Sequence, residues 1–331
     1  RTGARRFVVV DHNVERHFSR EIGAYFSCHD VEARIVPFTA GEDNKSLESY
    51  LAILRDLDLF PIHRRDEPII AIGGGVLTDL VGFVASSYRR GVPHIKVPTT
   101  LMGYIDASVG VKTGINFNGH KNRLGSFEPP ARVLLDKAFL KTLPRRHLLN
   151  GVGEMLKLAI IRDPGLFQLL ELHGAASIAA CFQDAAGASL LDGAIHGMLE
   201  ELEPNLFEDS LERKVDFGHT FSYGLETDPG SRLLHGEAVV LDIAVSACIA
   251  RARGLLSEDD TGRIFRLIRD LGMQLDATIL DPRLLWQSVE ERTFHRNGLQ
   301  RVPLPAGIGD CVFVNDIRQE EICAAVRSFP G

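Results

Sequence analysis

Basic runs are missing from this chain. Lysine and arginine cluster only in short pairs, such as Arg64-Arg65, Arg89-Arg90 and Arg145-Arg146, within a formal net charge of −7. No basic stripe is therefore available to follow a nucleic-acid backbone. Cysteine is sparse and unpatterned. Cys28, Cys181, Cys248, Cys311 and Cys323 are scattered without CxxC spacing. That excludes a disulfide frame or a cysteine metal site and predicts reduced core residues of a cytosolic protein. No apolar run is long enough to span a membrane, and no signal-peptide pattern stands at the start, so a cytoplasmic protein with no membrane partner is expected. Tryptophan occurs once, at Trp286, a core position by expectation. Internal repeats and low-complexity segments are absent.

What remains is an ordinary globular composition, 45% hydrophobic and 24% charged over 331 residues, enough for a large core and two domains. The first half alternates strand and helix. RRFVVVDHNV predicts a strand ending in a polar turn, REIGAYFSCHD a helix, EARIVPF a strand and KSLESYLAILRDLDLF a helix. HIKVPTT and ARVLLD follow as further strands. Such alternation predicts an open α/β sheet with ligands at its carboxyl edge. From about Lys141 onward helical periodicity takes over, so a domain boundary is expected at Leu143-Pro144, followed by a mostly α-helical domain.

EPIIAIGGGVLTDLVGFVASSYRRG reads as a buried strand, a tight turn at Gly73-Gly74-Gly75 and an amphipathic helix from about Val76. Glycines allow close backbone approach to a pyrophosphate, and free N–H groups at a helix start favour an anion. The spacing is not the usual dinucleotide fingerprint. Asp79 is expected in the first helical turn, as a dipole-matched structural residue or as a ribose or nicotinamide contact.

Glu154 and Lys157 lie one helical turn apart in NGVGEMLKLAII and share a face. Far downstream, His219 stands in KVDFGHTFSYGLE and His235 in SRLLHGEAVVLDIAVSA, each beside an apolar, helix-period run. A carboxylate and two imidazoles are the donor set of a catalytic zinc with one coordination position left open. Any one histidine alone reads more simply as a surface or capping residue. The three together, downstream of a glycine-rich loop, form a convergent titratable set. Between HIKVPTT and ARVLLD, a long glycine-rich stretch gathers Asp106, Lys112, Asn116, Lys121, Asn122 and Arg123. That donor density suits a phosphorylated polyol, against the plainer reading of a solvated loop.

GGGVLTD, VPTTLMGYIDASVGVKT, HKNRLGSF, GEMLK, DFGHTF and LLHGEAV, in this order, resemble the sugar phosphate cyclase superfamily, whose best-known member is 3-dehydroquinate synthase. The likeness runs from VVVDHNV to PLPAGIGD. It implies a two-domain homodimeric enzyme. Residues 1–143 would form an NAD-binding α/β domain and 144–331 a helical zinc- and substrate-binding domain, with the active site between them. NAD and zinc are the implied cofactors, with cobalt able to replace zinc. Motif by motif, the resemblance assigns Asp11 and Asn13 at the end of the first strand, with Glu42 and Lys45, to the ribose and base of NAD. It assigns Gly74, Gly75 and Asp79 to the pyrophosphate and nicotinamide, and Thr99, Thr100 and Thr142 to later cofactor contacts. Glu154, His219 and His235 match the zinc ligands. Asp106, Lys112, Lys157 and Asp216 would be catalytic. Lys121 and Asn122 would contact the reacting sugar, Lys112 and Lys121 would also border the cofactor, and Arg90 would reach the phosphate of a neighbouring subunit's site.

Departures from the family pattern bear on the substrate. A lysine and an arginine hold the substrate carboxylate in dehydroquinate synthases; Met198 and Glu212 stand at the matching positions here. A carboxylate next to them would be desolvated and repelled. The family's asparagine before the first zinc histidine is Asp216, and its later histidine is Tyr223, a substrate contact by position. His295-Arg296-Asn297 replaces an Asp-Lys-Lys type segment, leaving Arg296 as the phosphate cation. These replacements resemble the sedoheptulose 7-phosphate cyclases, which make C7 cyclitols. Tyr223 departs from the proline expected in the 2-epi-5-epi-valiolone branch, so the 2-epi-valiolone branch stays open. The implied reaction is internal oxidation, phosphate elimination, reduction, ring opening and aldol closure. The rivals are 3-dehydroquinate synthase itself, a metal-dependent alcohol dehydrogenase of the glycerol dehydrogenase type, and a nucleotide-binding relative without chemistry.

Overall fold

The computed structural model describes residues 4–227 and 231–329. The chain divides into two compact units, 1–143 and 144–331. In the first, β1 (Arg5–Asp11), α1 (His12–Cys28), β2 (Glu32–Phe38), α2 (Leu47–Leu59), β3 (Ile69–Gly73), α3 (Gly75–Ser87) and β4 (His94–Pro98) follow in order. A hairpin comes next, β5 (Lys112–Phe117) and β6 (His120–Phe127), and then β7 (Arg132–Val133). β1–β4 and β7 form a parallel sheet in the order β2-β1-β3-β4-β7. Both faces are covered, as all-parallel sheets require. Along β1, Phe7 and Val9 join one buried cluster with Leu57, Leu77 and Val81, while Val8 and Val10 join another with Val14 and Phe26. This alternation follows from the two-residue period of a strand. Each such side chain contributes about 1.5–3 kcal/mol by burial.

Several boundaries differ from the sequence reading. Asp11 ends β1, but Asn13 already lies in α1, because the Asp11 carboxylate accepts the Asn13 N–H at 2.7 Å and caps the helix at once. α3 begins at Gly75, so Asp79 falls in its second turn rather than its first. The long stretch after β4 is not a loop. It holds a short π-helical turn, Gly103–Ala107, and the antiparallel β5–β6 hairpin. Asn118 and Gly119, with φ of 50° and 78°, make the hairpin turn, and an Asn-Gly pair is the sequence signal for it. ARVLLD yields only the two residues of β7.

The second unit contains α4 (Arg145–Ile161), α5 (Pro164–Ala179), α6 (Ala185–Leu202), α7 (Ser222–Thr227), α8 (His235–Ala252), α9 (Glu258–Asp270) and α10 (Pro282–His295). A small antiparallel hairpin of β8 (Val302–Pro305) and β9 (Cys311–Val314), unforeseen from periodicity, precedes α11 (Gln319–Arg327). All five cysteines are free, and Cys28 is exposed at the end of α1 rather than in the core. Trp286 is half-buried. Among the described residues, no helix is long and apolar enough to cross a membrane.

Glycines set the approach of α4 to α8. A Cβ on Gly153 would sit 2.6 Å from the carbonyl oxygen of Gly236, and a Cβ on Gly236 would overlap the Asn150 carbonyl. The Asn150 side chain accepts the Gly236 N–H at 2.6 Å. This backbone-to-backbone crossing puts Glu154, next to Gly153, against His235, next to Gly236.

Candidate active site

In the second unit, Glu154 is fully buried on α4 and Lys157, also buried, forms an ion pair with it one turn on. His219 Nε2 and His235 Nε2 lie 3.5 and 3.3 Å from one Glu154 oxygen, Oε1, and 3.3 Å from each other. One donor atom from each residue lies within 4.8 Å of the others, the one such group among the described residues. The outer ring nitrogens decide the tautomers. His219 Nδ1 is 3.0 Å from the Phe217 carbonyl and His235 Nδ1 is 2.9 Å from Glu226 Oε1. Those partners can only accept, so each Nδ1 carries a proton and donates it. His219 Nε2 then presents its lone pair inward, and His235 Nε2 does the same once its second proton is lost. With that proton gone, two lone pairs face each other beside a carboxylate whose oxygens receive no aligned hydrogen bond, an arrangement that a divalent cation would satisfy. Carboxylate or carbonyl partners on the outer nitrogens are usual for metal-bound histidines.

The electrostatics separate the two rings. Burial and then the Lys157 charge lower His219 to about 4, so its ring is neutral at neutral pH. Burial would lower His235 too, but the Glu226 and Glu154 carboxylates together raise it to about 10. Glu154 is held below the usual carboxylate range, because Lys157 and the two histidines outweigh the cost of its burial. A metal would have to displace a proton from His235, as metal sites commonly do.

Beyond the histidines, Asp216 is surrounded by arginines. Its Oδ2 lies 2.5 Å from Arg296 Nη2 and 3.3 Å from Arg292 Nη2, and its Oδ1 lies 3.3 Å from Arg213 Nη1. Arg213 also pairs with Glu208 at 2.5 Å. Arg296 is thus no spare cation: its other arm donates to the Leu211 carbonyl. The cluster instead carries three positive charges against two negative. Met198 is buried in α6, whereas Glu212 is exposed and paired with Arg301 at 3.4 Å. Its charge is thereby screened, and repulsion by Glu212 is a weaker argument against a carboxylate than the lack of a cation at Met198. Tyr223 is 37% exposed at the start of α7.

The first unit holds its candidate residues at the carboxyl ends of β1, β3 and β4. Between β1 and β3 the strand order switches direction, which is where open α/β sheets bind ligands. α3 starts at Gly75 with Gly74 before it and no side chain capping its N–H groups, which leaves them for an anion. Added Cβ atoms at Gly74 and Gly75 would meet Thr100 Cγ2 at 3.0 Å and Ala107 Cβ at 3.1 Å. Asp11 borders this turn, its Cβ 3.2 Å from where a Gly73 Cβ would lie. Thr99 donates its N–H to the Gly73 carbonyl, and Thr100 Oγ1 accepts the Gly103 N–H. The buried Lys45 bridges Asp79 Oδ2 at 2.7 Å and Asn122 Oδ1 at 2.6 Å. Asn116 joins the same network, donating to Glu42 Oε1 at 2.8 Å and accepting the Asn122 N–H. Glu42, Lys45, Asp79 and Asn122 are therefore brought together, with Asn122 tied into the hairpin. Lys112 is exposed at the start of β5, Lys121 half-buried in β6 and Asp106 half-buried in the π-helical turn. Thr142 is exposed and donates to the Phe139 carbonyl. Arg90 is exposed, with the neighbouring Arg89 also at positive φ, 64° and 50° respectively.

Sequence reasoning missed Glu226, Arg292 and Lys96. Arg292 in α10 and Arg296 just past its end stand at four-residue spacing, and that was a legible signal. Lys96 is wholly buried and donates to the carbonyls of Ala107 and Gly110, pinning the turn that carries Asp106. Only the fold shows that a lysine between Ile95 and Val97 points inward.

Two family models match in tandem: 3-dehydroquinate synthase N-terminal over residues 35–150 and 3-dehydroquinate synthase C-terminal over 151–292. The chain belongs to the 3-dehydroquinate synthase-like family. Within that family, a 2-epi-5-epi-valiolone synthase from Streptomyces albus is 51% identical over 329 residues, 98% of this chain and 80% of that protein. A 2-epi-valiolone synthase from Stigmatella aurantiaca is 35% identical over 330 residues, 97% of this chain and 80% of that one. The solved structure of ValA, a 2-epi-5-epi-valiolone synthase from Streptomyces hygroscopicus subsp. jinggangensis 5008 with NAD+ and Zn2+ bound, matches with a TM-score of 0.96. It is 45% identical and the match covers 99% of this chain and 91% of that one.

Proposed function

We propose that this protein is an NAD- and zinc-dependent cyclase, a phosphate-eliminating carbon–oxygen lyase that converts sedoheptulose 7-phosphate to 2-epi-5-epi-valiolone. One observation carries the choice of product: 51% identity across nearly the whole chain to a 2-epi-5-epi-valiolone synthase, against 35% to a 2-epi-valiolone synthase. On this reading Tyr223 is a tolerated variation rather than the mark of another branch. We further propose a cytoplasmic homodimer in which Arg90 serves the neighbouring site.

Bound NAD+ would accept and return a hydride, and bound zinc would polarise the alcohol oxygen. In the first unit, Gly74, Gly75 and the uncapped start of α3 would hold the pyrophosphate. Asp11, Asn13, Glu42, Lys45, Asp79, Thr99, Thr100 and Thr142 would hold the rest of the dinucleotide. In the second unit, Glu154, His219 and His235 would hold the metal, with Lys157 beside them as a donor to a substrate oxygen. Asp216 keeps Arg213, Arg292 and Arg296 aligned, and their surplus positive charge suits a phosphate. Asp106, Lys112, Lys121 and Asn122, on the turn and hairpin of the first unit, are assigned to the sugar phosphate.

The test is incubation with sedoheptulose 7-phosphate, zinc and a catalytic amount of NAD+, followed by identification of the product by NMR. Many turnovers per NAD+ with flat absorbance at the NADH band are expected, because oxidation and reduction cancel within each cycle. NADH accumulating in step with product would establish the dehydrogenase reading. Comparable turnover of the carboxylated dehydroquinate synthase substrate would establish an ordinary 3-dehydroquinate synthase.

A further inference from the structure

α8 carries a second hydrogen-bonding side chain besides His235. Asp242 lies seven residues on, two helical turns along the same face, and is fully buried. Its Oδ2 accepts the backbone N–H groups of Phe221 and, at 3.0 Å, Ser222; its Oδ1 accepts the Ser246 hydroxyl at 3.1 Å. Phe221 and Ser222 immediately follow the His219-Thr220 pair, and Ser222 opens α7. α7 carries Glu226, whose carboxylate accepts from His235 Nδ1. A closed circuit results: α8 presents His235 and Asp242, Asp242 grips the segment after His219, and α7 returns Glu226 to His235. The His219 carbonyl is held from the other side by Arg292 Nη1 at 3.4 Å.

We propose that Asp242 is a positioning residue for the metal centre, fixing the His219 segment and α7 against α8 so that His219 Nε2 and His235 Nε2 meet at one point. The proposal rests on the reading of Glu154, His219 and His235 as metal ligands. A planar side chain with two polar ends is needed here, because two backbone N–H groups arrive at one oxygen while a hydroxyl arrives at the other. An apolar side chain of similar volume would leave both N–H groups buried without an acceptor, and the segment would shift to find one. An amide can serve instead. Its oxygen takes the two N–H groups and its NH2 donates to the Ser246 hydroxyl, which can turn to accept.

The experiment compares Asp242→Asn, Asp242→Leu and His235→Ala with the parent protein. Zn2+ affinity is measured by chelator competition, the d–d spectrum is recorded after Co2+ loading, and urea midpoints are measured on the metal-free proteins. Asp242→Asn should stay within a few-fold of the parent, whereas Asp242→Leu should bind Zn2+ about 10–100-fold more weakly, with an altered Co2+ spectrum. Asp242→Ser, which retains one acceptor, should fall between them and replaces the leucine variant if that does not fold. A purely structural role would lower the urea midpoint and leave the Zn2+ affinity and Co2+ spectrum of the folded variant unchanged, and that result overturns the proposal. If His235→Ala binds Zn2+ as the parent does, the ligand assignment itself has failed. Loss of binding in His235→Ala with parental binding in Asp242→Leu refutes the role of Asp242 alone.

Discussion

Gly153→Ala tests whether the α4–α8 crossing builds the metal site. The new Cβ would lie 2.6 Å from the Gly236 carbonyl oxygen, 3.0 Å from its Cα and 3.1 Å from its carbonyl carbon. All three are backbone atoms, so no side chain can rotate away. Restoring an ordinary C···O separation of about 3.3 Å requires the helices to part by roughly 0.7 Å. The residues on either side of this contact are Glu154 and His235, and metal–ligand distances tolerate only about 0.2 Å. Overpacking typically costs about 1–3 kcal/mol, offset by about 1 kcal/mol from the better helix propensity of alanine. A net loss of up to about 2 kcal/mol, with zinc content well below one equivalent, is expected. Urea unfolding followed by circular dichroism and metal analysis after dialysis would measure both. Gly23→Ala is the control, since a Cβ at this α1 position meets nothing within 4 Å. It should be neutral or stabilising by up to about 1 kcal/mol. A Gly153→Ala protein as stable as the parent and fully loaded with zinc would refute the argument that this crossing sets the site.

Two other expectations concern buried polar groups. Glu226→Gln should weaken Zn2+ binding by about 10–100-fold while the fold persists, because the amide is a poorer acceptor for His235 Nδ1; unchanged affinity in a chelator competition would exclude Glu226 from orienting that ring. His94 is wholly buried with neither ring nitrogen hydrogen-bonded, and burial, then the nearby Lys96 charge, pushes it down to about 3. In the unfolded chain it takes up a proton near pH 6.5, so stability should fall as pH drops from about 6.5 towards 3, by about 2 kcal/mol at pH 5. His94→Phe should flatten that part of the pH–stability curve, and an unchanged slope would place the acid sensitivity elsewhere.

Much of the architecture was legible because local chemistry was consistent along the chain. Buried strands such as Phe7–Val10 read as continuous apolar runs, and the triple glycine marked the turn into α3. The change of period near Lys141 coincides with a division of the contacts at 143/144. The β5–β6 hairpin was misread as a loop because glycine, asparagine and lysine outweighed β-propensity there, although Asn118-Gly119 carried the turn signal. α1 started earlier than expected because one side chain, Asp11, accepts the N–H of Asn13 in its first turn.

Residue types and spacing along one helix sufficed to pair Glu154 with Lys157, and family motifs sufficed to nominate His219 and His235. Neither source could show that Arg296 is already engaged by Asp216, that Glu212 is paired with Arg301, or that Glu226, Asp242 and Arg292 stand behind the histidines. Those relations join segments far apart in sequence, and their distances depend on how closely α4, α7, α8 and α10 pack. A carboxylate has the same sequence letter whether it faces solvent or a buried backbone N–H. Its role is set by the neighbours that packing supplies, and only the tertiary structure of the second unit reveals them.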